Sequence, residues 1–490
     1  MLFNSYVFIF IFLPVTLALI VAGRYLYGAR GGLACIVSGS LVFYGYWNPI
    51  FLVLLLGSIL VNHQIGLRIM KTPGKHSKTW LLVGIFLNMG VLGYFKYWNF
   101  FLVSLAQVLP FDPNIHPLVL PLGISFYTFQ QIAFLLDVYH KKIKRSSFLE
   151  YMAFVSFFPQ LIAGPIIRYN TLHGQFISPE WLRWNNESFA TGLSLFSLGL
   201  FKKTVLADQL AVFVGPVFDA GARGDVVSAM AAWTATLAYT FQLYFDFSGY
   251  ADMALGLGAM MGIRLPDNFN SPYRAHNFIN FWQRWHISLS HFFRDYLYIP
   301  LGGSRCSFPR HLNNLMITML LCGLWHGAGW QFVFWGGMHG LFLILDHLRE
   351  SRFPNLRLPR PLGVLVTFLV IALLWTAFRA VNMGTALYLY KTMFCLSGFL
   401  KSVQLSFPTF DIANFITAGS GSAPYWLILS ALIVWGLPNT AVWCRLYTEN
   451  KGAFPVVQGR TKAIVAGMLF FVSLKVLAGT GSSEFLYFNF

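Results

Sequence analysis

Long uninterrupted apolar runs dominate this chain, and they leave few folds open to it. Residues 6–22 and 361–378 each read through about 17 residues or more without a charge, near the length a helix needs to cross a ~30 Å hydrocarbon core. Lipid offers no partner to a backbone N–H or C=O, so such a run crosses as helix, with its hydrogen bonds closed internally. The rest of the chain agrees. It is 57% apolar and only 10% charged, where a soluble domain carries roughly 25% charged residues. The first run reads as a span and not as a removed secretory leader: no basic n-region precedes it, no small-residue cleavage site follows, and more spans come after.

The formal charge of +17 does not describe a nucleic-acid-binding face. The basic residues sit in short clusters between apolar runs: Arg24 and Arg30, then Arg68 to Lys78, Lys141 to Arg145, and Arg349, Arg352, Arg357 and Arg360. That is the positive-inside pattern, which assigns these loops to the cytoplasm. Runs 6–22, 32–46, 50–67, 80–109 and 118–139 then alternate across the membrane, with a charge-poor turn at 111–117 and the N-terminus on the far side. The stretches 148–167 and 188–201 are less regular, and the first is interrupted by Pro, Gln and Gly. Irregular backbone at membrane depth is tolerated only where protein or a cavity surrounds it. The expectation is an all-α, polytopic transmembrane protein of about 10–12 spans, forming a single domain over 1–490. The five scattered cysteines imply neither a disulfide framework nor a metal site.

Between 262 and 310 the composition changes. Arg, Asp, Asn, His and Trp crowd together, and the segment reads as amphipathic, partly re-entrant and cytoplasmic. Next, 312–345 is apolar but interrupted by glycines and has basic residues at both ends. About 34 residues at 1.5 Å each can enter and return only as two short helices. The turn would lie at 323–329, with His326 deep in the membrane. Residues 262–345 are therefore the expected core of the chemistry.

An ionisable group in a bilayer segment is costly and points to function. His326, in Gly-Leu-Trp-His-Gly-Ala-Gly-Trp, could take a proton from an attacking hydroxyl, with Trp325 and Trp330 walling the site against water. A buried histidine bonded to a neighbouring helix explains the same residue. His286, Ser290 and Arg294 fall at i, i+4 and i+8, one face of a helix, suited to a polar ligand; an interfacial helix salt-bridged through Arg294 and Asp295 is the alternative. His339 reads as packing or support for His326. Asp246 and Asp252 lie in an apolar stretch, where ion pairing with Arg284 or Arg294 competes with orienting a histidine. Lys96, Gln130 and Gln160 could line a polar passage, although helix-to-helix hydrogen bonding is the default. No dinucleotide or phosphate-loop pattern and no Gly-x-Ser-x-Gly elbow appears.

These motifs resemble the membrane-bound O-acyltransferases, in their bacterial polysaccharide-modifying branch. The likeness is carried by Leu-Pro-Leu-Gly-Ile-Ser-Phe-Tyr-Thr-Phe-Gln at 120–130, by stretches 157–165, 244–253 and 284–303, by 323–330, and by the tail 485–490. Within that branch the alginate O-acetylation group is nearest, and cellulose, peptidoglycan and teichoic-acid D-alanylation groups are alternatives. The resemblance implies a ring of helices around a thin partition. It places the family's intramembrane histidine on His326 and its second histidine on His286, both catalytic. Arg284, Ser290, Arg294, Trp325, Trp330, Asp246 and Gln130 would bind substrate. It further implies no bound cofactor or metal, an acyl thioester such as acetyl-CoA as cytoplasmic donor, and a multi-pass place in the bacterial inner membrane. Its expected partners are an extracytoplasmic serine-esterase-type acetyltransferase, the polysaccharide synthesis and export machinery and membrane lipids. A transporter, for which no inverted repeat is visible, and a non-catalytic scaffold are the competing classes.

Overall fold

The computed structural model describes residues 1–72, 74–110, 112, 115, 118–356, 358–395, 419, 421–444 and 460–486. Arg357, most of the 111–117 turn and the end of the C-terminal tail motif lie outside them. The described residues form helices and connecting loops, with no strand among them. Among the described residues, six helices are long and apolar enough to cross a membrane: Phe8–Gly45, Pro49–Lys71, Lys75–Ala106, Asn186–Arg223, Arg360–Arg379 and Arg460–Thr480. The all-α, polytopic expectation holds.

Six is fewer than the 10–12 crossings expected, and part of the difference is a fold-back. Gly28 adopts φ 65°, ψ −152°, inside what is otherwise one long helix. A Cβ on Gly31 would stand 2.3 Å from the Gly23 carbonyl oxygen, and one on Gly39 2.9 Å from the Thr16 methyl. The two arms are therefore antiparallel and in contact, and the separate runs 6–22 and 32–46 are both real. Only a residue without Cβ takes that reversal at little cost. Other expected crossings are shorter than a bilayer needs, such as Ile124–Tyr139.

The chain packs as two compact units, each assembled from separate segments. The first comprises Met1–Leu198, Tyr250–Pro266 and Cys444–Asn489. Its centre is aromatic: Phe3 stacks on Tyr250 at 4.9 Å, and Phe43 and Phe158 meet at 5.4 Å. The interrupted stretch 148–167 breaks at Phe157, between Phe148–Ser156 and Phe158–Leu161. Gln160 Nε2 donates to the Phe154 carbonyl across that break at 2.7 Å, so its amide splints the two pieces. Lys96 sits in a π-turn, Gly93–Tyr97, and donates to Ser125 Oγ at 3.3 Å.

The second unit comprises Gly199–Gly249 and Asp267–Trp443. Five of its helices position the residues of interest: α1 (Phe278–Trp282), α2 (Ile287–Phe293), α3 (Phe308–His326), α4 (Trp330–Arg352) and α5 (Arg360–Arg379). Helices α3 and α4 form the expected hairpin, joined by 327–329. They touch backbone to backbone. A Cβ on Gly323 would stand 2.2 Å from the Phe332 carbonyl oxygen, and one on Gly336 2.3 Å from that of Met319. Small residues at such a contact allow close helix approach where lipid gives no hydrophobic drive. Asp346 on α4 reaches back to cap α1, accepting from the Phe278 N–H at 2.7 Å.

The ion-pair partner of Asp246 is Lys203, where the sequence suggests Arg284 or Arg294. Lys203, on the π-turn Lys202–Ala207, places Nζ 2.7 Å from Asp246 Oδ1 and 2.9 Å from Asp208 Oδ1. The reason lies in two glycines: a Cβ on Gly249 would stand 2.8 Å from the Gly199 carbonyl oxygen. That close approach brings the lysine within reach of a carboxylate far along the chain.

Candidate functional site

His326 closes α3, and Gly327 leaves the helix in extended backbone. The imidazole is 2% exposed. Its ring lies 4.9 Å from Trp325, 5.2 Å from Trp335 on α4 and 5.3 Å from Phe378 on α5, all three edge to face. Phe332 packs on Phe378 at 5.2 Å and completes this wall. The hairpin explains the placement. With the two backbones in contact, a residue at the end of α3 faces side chains from the first two turns of α4.

His286 is fully buried, and its ring stands 6.3 Å from the Trp325 indole. One indole thus touches both imidazoles. His286 does not begin a helical face with Ser290 and Arg294. It adopts φ 44°, ψ 53°, before the start of α2, and Arg294 opens a π-turn after its end. A left-handed backbone costs a residue with a Cβ roughly 1–2 kcal/mol, and here a local network holds it. Asn268 Oδ1 accepts from the Ser288 N–H at 3.2 Å and from Ser288 Oγ at 2.9 Å, and His286 Nδ1 lies 3.2 Å away. The Ile287 N–H donates to the Asn268 carbonyl at 3.0 Å. An oxygen already receiving an N–H requires Nδ1 to carry the proton, so in the neutral ring Nε2 holds the lone pair. Phe247 supports the opposite side, edge on at 4.7 Å.

His339 sits further along α4 with Trp335 against it at 4.4 Å. Trp282 Nε1 donates to His339 Nδ1 at 3.3 Å. An indole N–H only donates, so the neutral His339 carries its proton on Nε2. The expectation that His339 packs near His326 therefore takes a definite form: Trp335 contacts both rings.

The remaining candidates are distributed differently from the expectation. Ser290 and Arg294 line a cavity of about 340 Å³ whose wall includes Trp282 and Cys322, the latter one helical turn before His326. Arg284 lines another cavity, of about 820 Å³, with Arg349 and Arg360. Its guanidinium is held by Asn280 Oδ1 and the Asn270 carbonyl, both at 3.0 Å. Arg284 and Arg294 therefore do not form one anion site. Trp330 is 55% exposed and offers little as a wall against the surroundings, whereas Trp325 is 4% exposed. Asp246 is committed to Lys203. Gln130 is buried on Ile124–Tyr139 in the first unit, its Oε1 without a partner among the described residues. Asp252 is half-buried in that unit.

Sequence reading missed Asn268, Trp282, Trp335 and Phe378. Three are aromatic residues in an aromatic-rich chain and carry no distinguishing pattern. Asn268, in Asp-Asn-Phe-Asn-Ser-Pro, resembles ordinary loop chemistry. Replacing it with Ala removes the acceptor that holds His286, and turnover at this site is expected to fall about 10- to 100-fold through misplacement of that ring. Asn268→Asp keeps the acceptor oxygen and should retain most of the rate. Equal loss in both variants, measured as initial rates across pH, would assign Asn268 a merely structural role.

Three histidines linked through two indoles in a buried aromatic setting suit proton transfer to or from a bound hydroxyl. A sequence profile of the MBOAT, membrane-bound O-acyltransferase family, matches residues 124–385. The chain is 38% identical to the peptidoglycan O-acetyltransferase of Helicobacter pylori, over 100% of this chain and 98% of that protein. It is 42% identical to the probable alginate O-acetylase AlgI of Pseudomonas aeruginosa, over 80% of this chain and 75% of that one. With the corresponding protein of Pseudomonas putida the identity is 36% over the full length of both.

Proposed function

The chain belongs to the membrane-bound O-acyltransferase family, and from that premise we propose that it moves an acetyl group from a cytoplasmic thioester, acetyl-CoA or a similar donor, for O-acetylation of an exported polysaccharide. The observation that carries the reading is His326, buried among aromatic rings at the turn of a helix hairpin, with His286 on the far edge of the same indole. His326 acts as general base. It takes the proton of an acceptor hydroxyl as that oxygen attacks the thioester carbonyl, the C–S bond breaks, and the leaving thiolate receives the proton. His286, with its Nε2 lone pair, orients or relays that proton. The cavity beside Ser290 and Arg294 offers the thioester an approach. The setting is the bacterial inner membrane. The acetyl group passes to an extracytoplasmic serine-esterase-type acetyltransferase working with the export machinery.

Alginate is the favoured glycan, in keeping with several relatives named alginate O-acetylases at 36–42% identity. Peptidoglycan is the second reading, favoured by the full-length match at 38%. Mass spectrometry of the secreted polysaccharide and of muropeptides, from cells with and without the gene, separates them. Loss of acetyl from the polysaccharide, restored by re-expression, is the expected result. Loss confined to muropeptides selects the second reading, and unchanged acetylation of both glycans rejects the proposal.

A further inference from the structure

The first unit contains a cavity of about 910 Å³ that the chemistry above does not use. Arg24, one turn before the Gly28 reversal, lines it. The guanidinium is 9% exposed and stacks on Trp181 at 4.0 Å. Its Nη2 donates to the Met261 carbonyl at 2.5 Å, and Trp181 Nε1 donates to the same oxygen at 3.1 Å. Arg24 Nε has no acceptor among the described residues. Two glycines make the room. A Cβ on Gly32 would stand 2.7 Å from Arg24 Cγ and 2.9 Å from the Trp181 ring, and Gly262, at φ 72°, turns the chain directly after the accepting carbonyl.

This is an unusual state for an arginine. Buried charges are ordinarily paired, because desolvation is expensive, yet among the described residues Arg24 is met by one carbonyl dipole and an indole face. The acids that line the same cavity are otherwise placed: Glu180 acts on Arg264, and Glu187 is exposed. Arg264 and, at the exposed rim, Arg183 are the other cations that line it. We propose that this cavity binds a phosphate-bearing anion, with the Arg24 guanidinium donating to its oxygens. A planar guanidinium fork suits phosphate geometry, and stacking on Trp181 holds it in place. The positive-inside pattern puts Arg24 and its neighbours on the cytoplasmic side, where such an anion is either a lipid headgroup or a soluble phosphate ester. The proposal stands apart from the acyl-transfer reading and does not need it.

The test is calorimetric binding to the purified full-length protein in detergent, with glycerol 3-phosphate as the soluble probe and dioctanoyl phosphatidylglycerol as the lipid probe. One of them is expected to bind at one site per chain, to be displaced by pyrophosphate, and to bind Arg24→Gln at least about tenfold more weakly. Which probe does so identifies the source. Arg183→Gln, at the rim, should weaken the same probe about threefold. It carries the test alone if Arg24→Gln does not yield monodisperse protein. Absence of binding to the wild type, or affinities unchanged by the variants, overturns the proposal.

Discussion

His326→Ala is expected to lower acyl transfer by about 10²- to 10⁴-fold, the range a positioned general base contributes, in protein that still inserts and folds. The separation of chemistry from folding follows from the packing. The α3–α4 hairpin is held by backbone contacts at Gly323 and Gly336, which do not involve the imidazole. Loss of the ring leaves a void among Trp325, Trp335 and Phe378. His326→Gln, which refills part of that volume and cannot accept a proton at neutral pH, should be nearly as inactive as Ala. Glycan acetylation at wild-type level in either variant would sink the catalytic assignment and favour a scaffold. An acetyl-imidazole adduct on His326, trapped by rapid acid quench and peptide mass analysis, would instead convert the base into an acyl carrier.

The second large effect is on stability. Lys203→Met should destabilise the protein by about 3–5 kcal/mol, the usual result of removing one partner of a buried ion pair. Lys203 and Asp246 are 2% and 1% exposed, and the same ammonium also holds Asp208. Without it, two carboxylates face each other in a poorly solvated site. The double variant Lys203→Met with Asp246→Leu removes the more deeply buried of the two stranded charges and should recover much of the loss, because an apolar pair can replace a buried ionic one at little net cost. Thermal unfolding in detergent reads both. If Lys203→Met melts like the wild type yet loses acyl transfer, the pair belongs to the chemistry and not to the fold.

The sequence shows the hairpin clearly because its signal is local: basic flanks, a broken apolar run and glycines at a fixed place. It shows His326 for the same reason, since an imidazole in such a run is conspicuous. It does not show the surroundings of either histidine, because those come from elsewhere in the chain. Asn268 lies before the His286 motif, Phe247 earlier still, and Phe378 one helix beyond the hairpin. The helical spacing of His286, Ser290 and Arg294 misleads for a physical reason: Asn268 takes the Ser288 N–H, so α2 starts after His286. Span counting misleads in the opposite sense. Charge and hydropathy separate 6–22 from 32–46 correctly, while the geometry at Gly28 joins them in one helical run.

The glycine contact between α3 and α4 also bears on how the protein is made. Neither helix is among the six whose length and apolarity suffice for a membrane crossing. Each carries polar groups that would be penalised at the bilayer centre if it partitioned singly. Held backbone to backbone, the two bury Gln331, His326 and His339 against protein instead of lipid. The two helices are therefore expected to enter the membrane together, as one hairpin. The surroundings of His326 are complete only once α5, which supplies Phe378, has followed the hairpin.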